Sequence, residues 1–387
     1  MIEADKKPLR HREVESDIRR KVADAVWTVG DMLPGRRELA KQYNVSGVTM
    51  ERAIDALVRE GVLRSDGRRG TFVAAKVSIR SNTKVPASLK VGIVGTLYPI
   101  RHDLLDENNQ WVRQVIQAVE HELSGENHET VFTNRALPDG SSNSLSRAIL
   151  ENIQEGVNCI VVLAHAQSPQ DIEEAAAEAE RSKIPTVFVT STELSRPVPH
   201  VSPDGFDAGY QAGQHLLNLG MEEITFFSPF RAWWTEQRFS GLLTACRNAG
   251  LPPESVVAVP AEADEWQIEQ DPESQGYEAA KLAFAAGQIK SAVVCANDGA
   301  AFGLLAAAKE AGRIVGQNLF VVSFDDTPDA RGHRLTSLRA PWDAMGREAA
   351  RLLMNEIDHK NDSLQIRLRW RLIPRGSSRR ADAPPEQ

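Results

Sequence analysis

LPGRRELAKQYNVSGVTMERAIDALVREGVL, residues 33–63, contains two helix patterns separated by a short link. The first helix is predicted to begin after Pro34, with Leu39 and Ala40 turned inward. The second begins at Ser46, a natural N-cap residue. Its core stripe consists of Met50, Ala53, Ile54, Leu57 and Val58. The brief Asn44-Val45 link between the two patterns predicts a helix-turn-helix.

The flanking sequence extends this unit on both sides. Val14, Ile18, Val22 and Val26 recur every four residues, which predicts an amphipathic helix from Arg10 to about Thr28 that Gly30 ends. After Gly61, a turn signal at Asp66-Gly67 and the apolar pair Phe72 and Val73 predict a β-hairpin. Three helices followed by a hairpin make a winged helix, which we assign to residues 1–76.

The charge distribution indicates what this unit binds. The 387-residue chain has a net charge of −8, but residues 1–76 contain 16 Lys and Arg against 12 Asp and Glu, and the remaining residues have a net charge of −12. A basic head on an acidic body is expected when only one end of a protein meets a polyanion.

Residues 10–74 resemble the DNA-binding domain of the GntR family of bacterial transcription regulators. The resemblance rests on the LPGRRELA run, the VSxxT step from Val45 to Thr49, the A-x-x-x-L-x-x-E-G stretch from Ala53 to Gly61, and the closing RRGTFV. It implies that the first turn of the third helix enters the major groove of an operator. The predicted DNA-binding residues are Arg36, Arg37, Ser46, Thr49, Arg52, Arg68, Arg69 and Gly70.

Two positions of the third helix depart from the family pattern. The family usually has Arg where this chain has Gly47, and often Arg where it has Glu51. Glu51 can instead accept a hydrogen bond from a cytosine amino group, and Val48 can touch a thymine methyl group. We therefore expect either an operator unlike the family's common one or fewer direct base contacts.

The rest of the chain reads as a polar linker, a large α/β body and a short tail. We assign residues 77–88 to the linker, 89–377 to a ligand-binding and dimerisation domain, and 378–387 to a disordered tail. Apolar runs such as VGIVG and NCIVVL alternate with helical patterns, in two successive series that predict two parallel α/β lobes enclosing a cleft. The dinucleotide, nucleotide-triphosphate and hydrolase motifs G-x-G-x-x-G, P-loop and G-x-S-x-G are not found.

Residues 90–377 resemble the effector domain of LacI/GalR-type repressors, which is itself similar to periplasmic sugar-binding proteins. The matching segments include DGFDAGYQAGQHLLNLGMEEITFF, EQRFSG, CANDGAAFGLLAAAKEAG, VVSFDD and LIPRGSS, in the family's order. A GntR-type head on such a body is similar to the arabinose-repressor architecture. The resemblance implies that Arg238, Asn297 and Asp325 face the ligand cleft.

These residue types suit a sugar, because hydroxyl groups need paired donors and acceptors and the C–H face of the ring needs an aromatic surface. Trp266 is a candidate for that aromatic surface, with anchoring of a surface loop as the equal alternative. Tyr98 and Thr190 are further candidates from their positions after strands. Asp298 and Asp326 are interpreted as helix caps or loop organisers.

The sequence thus predicts a cytoplasmic, ligand-responsive transcription regulator, more in keeping with a repressor, that binds a palindromic operator as a homodimer. It has neither the apolar core of a signal peptide nor a membrane-spanning run, which argues against an extracytoplasmic binding protein. Scattered histidines and unpaired cysteines predict no metal site, and we expect no cofactor and no enzymatic activity. The alternative from another class is a GntR-headed, pyridoxal-phosphate-dependent aminotransferase-like enzyme.

Overall fold

A computed structural model describes residues 11–23, 26–59, 62–66, 70–74, 88–97, 107–124, 128–137, 141–165, 167–260, 262–265, 271–358 and 365–379. The chain divides into two compact units, Met1–Thr83 and Lys84–Gln387, which we call the head and the body. Four predicted site residues, most of the linker and most of the tail lie outside the described residues. The four site residues are Arg68, Arg69, Tyr98 and Trp266.

The head is the predicted winged helix. Its elements are α1 (His11–Ala23), α2 (Arg36–Gln42), α3 (Gly47–Arg59), β1 (Leu63–Asp66) and β2 (Gly70–Val73), with the two strands antiparallel. Val14, Ile18 and Val22 of α1 are buried in one cluster with the predicted stripe of α3. The spacing of apolar side chains in the sequence therefore accounts for the core of this unit.

Helix α1 is shorter than predicted. It ends at Ala23, and Val26, which the four-residue spacing assigned to the buried face, is 62% exposed. The chain turns here instead, since the backbone N–H groups of Val26 and Trp27 both donate to the carbonyl of Lys21. The carboxylate of Asp31 then accepts from Thr28 N at 2.7 Å, which stabilises a turn where we predicted the end of the helix.

The body contains two parallel-stranded lobes, as predicted. Lobe 1 has strand order β13-β7-β6-β5-β3-β4, and lobe 2 has β14-β12-β11-β10-β8-β9, with β14 antiparallel to its neighbour. The strands of lobe 1 are β3 (Lys90–Gly95), β4 (Glu129–Asn134), β5 (Cys159–Leu163), β6 (Thr186–Val189), β7 (His200–Pro203) and β13 (Gln365–Leu368). The strands of lobe 2 are β8 (Ile224–Phe227), β9 (Val256–Val259), β10 (Ala292–Cys295), β11 (Phe320–Asp325), β12 (Thr336–Arg339) and β14 (Arg371–Ile373).

Helices cover these sheets. In chain order they are α4 (Glu107–Leu123), α5 (Leu145–Gln154), α6 (Pro169–Ser182), α7 (Gly205–Asn218), α8 (Trp233–Asn248), α9 (Pro272–Ala285), α10 (Asp298–Glu310), α11 (Pro328–Gly332) and α12 (Trp342–Asp358). Continuous apolar strands such as β5 are buried over their whole length, as expected for a sheet covered on both faces.

The two lobes are not successive, and on this point the sequence prediction was wrong. Within the described residues the chain passes between the lobes three times: after β7, before α12 and after β13. Helix α12 follows a lobe 2 strand but packs on α4 and on β5 to β7 of lobe 1. Alternation of strand and helix patterns cannot reveal this, because a returning helix has the same apolar periodicity as one that stays.

Helices α7 and α8 approach each other closely enough to bring their backbones into contact. A Cβ atom added to Gly209 would lie 1.8 Å from the carbonyl oxygen of Arg238, and one added to Gly241 would lie 2.0 Å from that of Phe206. Glycine is required at both positions, because backbone cannot give way as a flexible side chain can. This packing fixes where α8 presents the side chain of Arg238.

The folded body extends slightly further than predicted at its carboxyl end. Ser378, assigned from sequence to the disordered tail, is fully buried, and its hydroxyl lies 2.6 Å from that of Thr336 and 2.7 Å from His215 Nε2. The tail can therefore begin no earlier than residue 380.

Candidate effector site and DNA-binding face

The centre of the candidate effector site is a buried ion pair between Arg238 and Asp325. Arg238 lies on α8 with its side chain 2% exposed, and its Nη2 is 3.3 Å from Asp325 Oδ1 at the end of β11. Its Nη1 donates to the carbonyl oxygen of Ala296 at 2.5 Å. Nε of Arg238 is buried and has no acceptor among the described residues. The sequence did not predict this ion pair, and contact of Arg238 and Asp325 with an effector stays a prediction.

Three aromatic rings surround the guanidinium group. Its central carbon lies 4.6 Å from the ring centroid of Trp234, 4.5 Å from that of Phe324 and 4.8 Å from that of Trp370. Burial lowers the pKa of Arg238, and the charge of Asp325 opposes that shift. Ring faces stabilise a cation, so the arginine is held charged with little water around it. Sequence reasoning missed all three rings.

The row of rings continues from lobe 2 into lobe 1. The ring of Trp370 lies 6.2 Å from Trp342, which in turn lies 4.8 Å from His165 and 5.6 Å from Trp111. His165 follows β5, and burial together with the positive charge of Arg238 lowers its pKa to about 3. The imidazole is therefore neutral at physiological pH. Its Nδ1 is buried and has no hydrogen-bond partner within the described part of the chain.

The backbone at Asp325 is strained in order to present its carboxylate. Asp325 has φ of 102° and Asp326 has φ of 52°, values that residues with a Cβ atom rarely adopt. The neighbouring Asp326 holds this turn: its N–H donates to Ser337 Oγ at 2.9 Å, and its carboxylate pairs with Arg339 and Arg375. Strain of this kind persists only where surrounding contacts enforce it.

Asp298 is the second organiser of this turn. It is fully buried, and its carboxylate accepts from Thr327 N at 2.8 Å and from Ser337 Oγ at 2.8 Å. Burial, followed by the nearby charge of Asp325, raises the pKa of Asp298 to about 8. The interpretation of Asp298 and Asp326 as loop organisers agrees with these contacts.

Two other predicted effector residues have their side-chain oxygens engaged by backbone. Asn297 caps α10, with Oδ1 accepting from Ala300 N at 2.9 Å, and it follows the carbonyl that Arg238 contacts. Thr190, at the end of β6 in lobe 1, is fully buried, and its hydroxyl accepts from Thr192 N at 3.0 Å. Contact of either residue with an effector stays a prediction.

In the head, the side of α3 opposite its core stripe is exposed at Gly47, Val48, Glu51, Arg52 and Asp55. Ser46 caps the helix by accepting from Thr49 N at 3.1 Å, and the two hydroxyls lie 2.7 Å apart. Contact of either hydroxyl with DNA stays a prediction.

Three other residues predicted to contact DNA are described in the head. Arg37 is exposed at the start of α2, whereas Arg36 pairs with Glu51 and Asp55. Gly70, which begins β2, is exposed and has φ of 122°. DNA contact by these residues, and by the other arginines named above, stays a prediction.

Family comparisons divide the chain in the same way. Residues 10–73 match the family described as bacterial regulatory proteins, gntR family, and residues 214–378 match the periplasmic binding protein-like domain. The chain is a transcription regulator that joins a gntR-type head to a body whose residues 214–378 are periplasmic binding protein-like. The periplasmic binding protein-like match includes the strands of lobe 2 and therefore contains Arg238, Asn297 and Asp325.

Individual relatives agree with this assignment. The HTH-type transcriptional repressors PurR of Escherichia coli O1:K1 and of Salmonella arizonae are each 27% identical over 360 residues, covering 90% of the regulator and 97% of the relative.

Solved structures share the fold. A LacI family regulator of Enterococcus faecium with bound ribose has a TM-score of 0.57 at 21% identity, covering 75% of the regulator and 98% of that chain. The lac repressor dimer bound to operator and the anti-inducer ONPF has a TM-score of 0.59 at 17% identity, covering 76% and 94%.

Membrane-spanning helices and metal-binding clusters are both absent from the described residues. None of the helices in the described part of the regulator is long and apolar enough to cross a membrane. Those same residues contain no group of three or more His, Cys, Asp or Glu side chains arranged to hold a metal ion.

The raised pKa of Asp298 gives a prediction about stability. Because the pKa in the folded state, about 8, exceeds the ordinary value of 3.8, folding takes up a proton between these values. The proton that Asp298 takes up on folding therefore makes the free energy of unfolding fall as pH rises from about 4 to 8. Replacing Asp298 with the neutral Asn should remove it, so the stability of D298N relative to the native regulator should increase over that range.

Urea unfolding of both proteins at several pH values measures this difference. The matched control is Asp329→Asn, which removes an exposed carboxylate from the short helix α11, directly after the turn that Asp298 holds. Parallel pH profiles for D298N and the native regulator would show that Asp298 does not bind a proton with raised affinity.

Proposed function

We propose that the regulator is a repressor that senses a sugar or sugar-like molecule with Arg238 and Asp325, and that it binds a palindromic operator as a homodimer. The observation that carries the effector assignment is the Arg238–Asp325 pair, buried among aromatic rings where the strands of lobe 2 end. Ligand sites of α/β sheets lie at the carboxyl ends of their strands.

The chemistry of the pair favours a polyhydroxylated ligand. Arg238 has a buried N–H group left over, and Asp325, 29% exposed, has oxygen atoms that can accept from hydroxyl groups. Trp234, the one of the three rings that is partly exposed, can offer an apolar face to the C–H side of a sugar. LacI-type neighbours with bound ribose from two Enterococcus species support the same ligand class.

The repressor and dimer assignments rest on the relatives. The PurR proteins are repressors by name, and the lac repressor neighbour is a dimer on its operator. A helix-turn-helix reads one half-site, so a two-fold dimer reads a palindrome. In this proposal the protein acts in the cytoplasm by binding alone, with neither cofactor nor catalysis.

For the DNA-binding half of the proposal, Arg37→Ala should weaken binding to the specific operator by about 1–3 kcal/mol, because an exposed arginine at the start of α2 would lose a phosphate or guanine contact. Sugar-dependent stabilisation of the body should not change. Fluorescence anisotropy with labelled operator measures the affinity. Lys41→Ala, which removes the same charge from the other end of α2, is the control and should have a smaller effect. Equal operator affinity in R37A and the native protein would overturn the assignment of Arg37.

For the effector half, a thermal-shift screen against pentoses, hexoses and their phosphates should find a stabilising compound. A ligand at 100 times its dissociation constant adds about 2.7 kcal/mol to the free energy of unfolding. Failure of every sugar, together with a pyridoxal-type absorbance band that stays with the purified protein after free small molecules are removed, would favour the aminotransferase-like alternative.

A further inference from the structure

The guanidinium group of Arg36 lies between two carboxylates of α3. Its Nη1 is 3.2 Å from Glu51 Oε1, and its Nη2 is 3.4 Å from Asp55 Oδ1. Glu51 and Asp55 are four residues apart on α3, so they lie one above the other on the same side of the helix. One arginine from the first residue of α2 therefore ties two successive turns of α3.

All three side chains remain open to a ligand. The exposed fractions are 37% for Arg36, 60% for Glu51 and 55% for Asp55. The ion pairs thus belong to the same exposed side of α3 as Val48 and Arg52, not to the core of the head. This triad of Arg36, Glu51 and Asp55 has a net charge of −1.

A net negative triad is unfavourable next to the phosphates of DNA, which attract cations and repel carboxylates. The cost falls if a carboxylate accepts a hydrogen bond from the exocyclic amino group of a base. Arg36 lowers it further by neutralising one acidic group and by fixing the direction of Glu51.

We propose that the triad determines operator specificity by reading one C·G base pair in each half-site. Glu51 accepts from the N4 amino group of cytosine, and Arg36 donates to O6 or N7 of the paired guanine. Asp55 acts as a positioning residue that holds Arg36 beside Glu51. This inference rests on the proposed function of the head as the operator-binding unit.

The pattern of donors and acceptors favours this base pair. In the major groove, cytosine presents a donor next to the guanine acceptor O6, and the Glu51–Arg36 pair presents an acceptor next to a donor. Adenine also has an amino donor, but the acceptor N7 of the same base would face a carboxylate. Thymine O4 and the guanine acceptors would repel Glu51 outright.

In vitro selection from a random pool of double-stranded DNA tests the proposal with the full-length protein. The native protein should enrich a palindrome with C·G at one position of each half-site. Glu51→Gln should enrich A·T there and leave the other positions unchanged, because glutamine pairs with the N6 and N7 atoms of adenine. In competition binding, the native preference for C·G over A·T at that position should be roughly 5- to 150-fold and should reverse in E51Q.

Three further variants separate the roles within the triad. Arg36→Gln should relax the preference at the same position, and Asp55→Asn should relax it less while leaving C·G first. Glu38→Gln, which alters an exposed carboxylate of α2 outside the triad, should select the native sequence.

The outcomes separate a failure of operator binding by the head from a failure of base readout by the triad. If the native protein enriches no sequence, the proposed function of the head fails, and this inference fails with it. If it enriches an operator and E51Q enriches the same one, the readout by Glu51 is wrong while the proposed function stands. An unchanged preference in R36Q would overturn the role of Arg36.

Discussion

The buried positive charge of Arg238 is the constraint on which the proposed effector site depends. Removing a guanidinium group from water costs several kcal/mol unless other groups compensate for it. Here the compensation comes from the carboxylate of Asp325, the carbonyl of Ala296 and three ring faces. Other residues hold the two members of this ion pair in place. Glycine at position 209 lets the backbone of α8 approach α7, and Asp298 with Asp326 holds the left-handed turn that presents Asp325.

The same charge lies beside the segments that connect the lobes. Trp342 begins the helix that returns the chain to lobe 1, and Trp370 lies between the last strand of lobe 1 and the last strand of lobe 2. Because Trp370 contacts both the arginine and Trp342, a ligand that binds Arg238 and Asp325 acts directly on the ring row between the lobes. In the proposed function, a molecule that prefers one arrangement of these rings shifts the body toward that arrangement and thereby changes the population of the protein that is competent to bind DNA.

Much of this architecture could be predicted from the sequence, and the exceptions have physical reasons. The helix-turn-helix, the alternating body and the choice of Arg238 and Asp325 as candidate site residues follow from local periodicity or from segments that match known families. The returning helix α12 does not, because amphipathic spacing says which face is buried but not against which sheet. Nor do the rings of Phe324, on a strand, and Trp370, on the segment between two strands, because both meet Arg238 from positions distant in sequence. Trp234 lies one helical turn before Arg238, so its spacing was a usable signal. The pairing of Arg36 with Glu51 could not be predicted either, because it depends on the angle at which α2 and α3 pack.

Calorimetric titration can test directly whether Arg238 and Asp325 bind the effector. The stabilising sugar is titrated into the full-length native protein, Arg238→Ala and Asp325→Asn, with Asp329→Asn as a matched surface control. The account predicts that both site variants remain folded and lose about 2–5 kcal/mol of binding free energy, because each leaves a hydroxyl or a buried charge unpaired. The control should bind as the native protein does. Native affinity in both site variants would contradict the account and make the buried pair a structural feature of lobe 2.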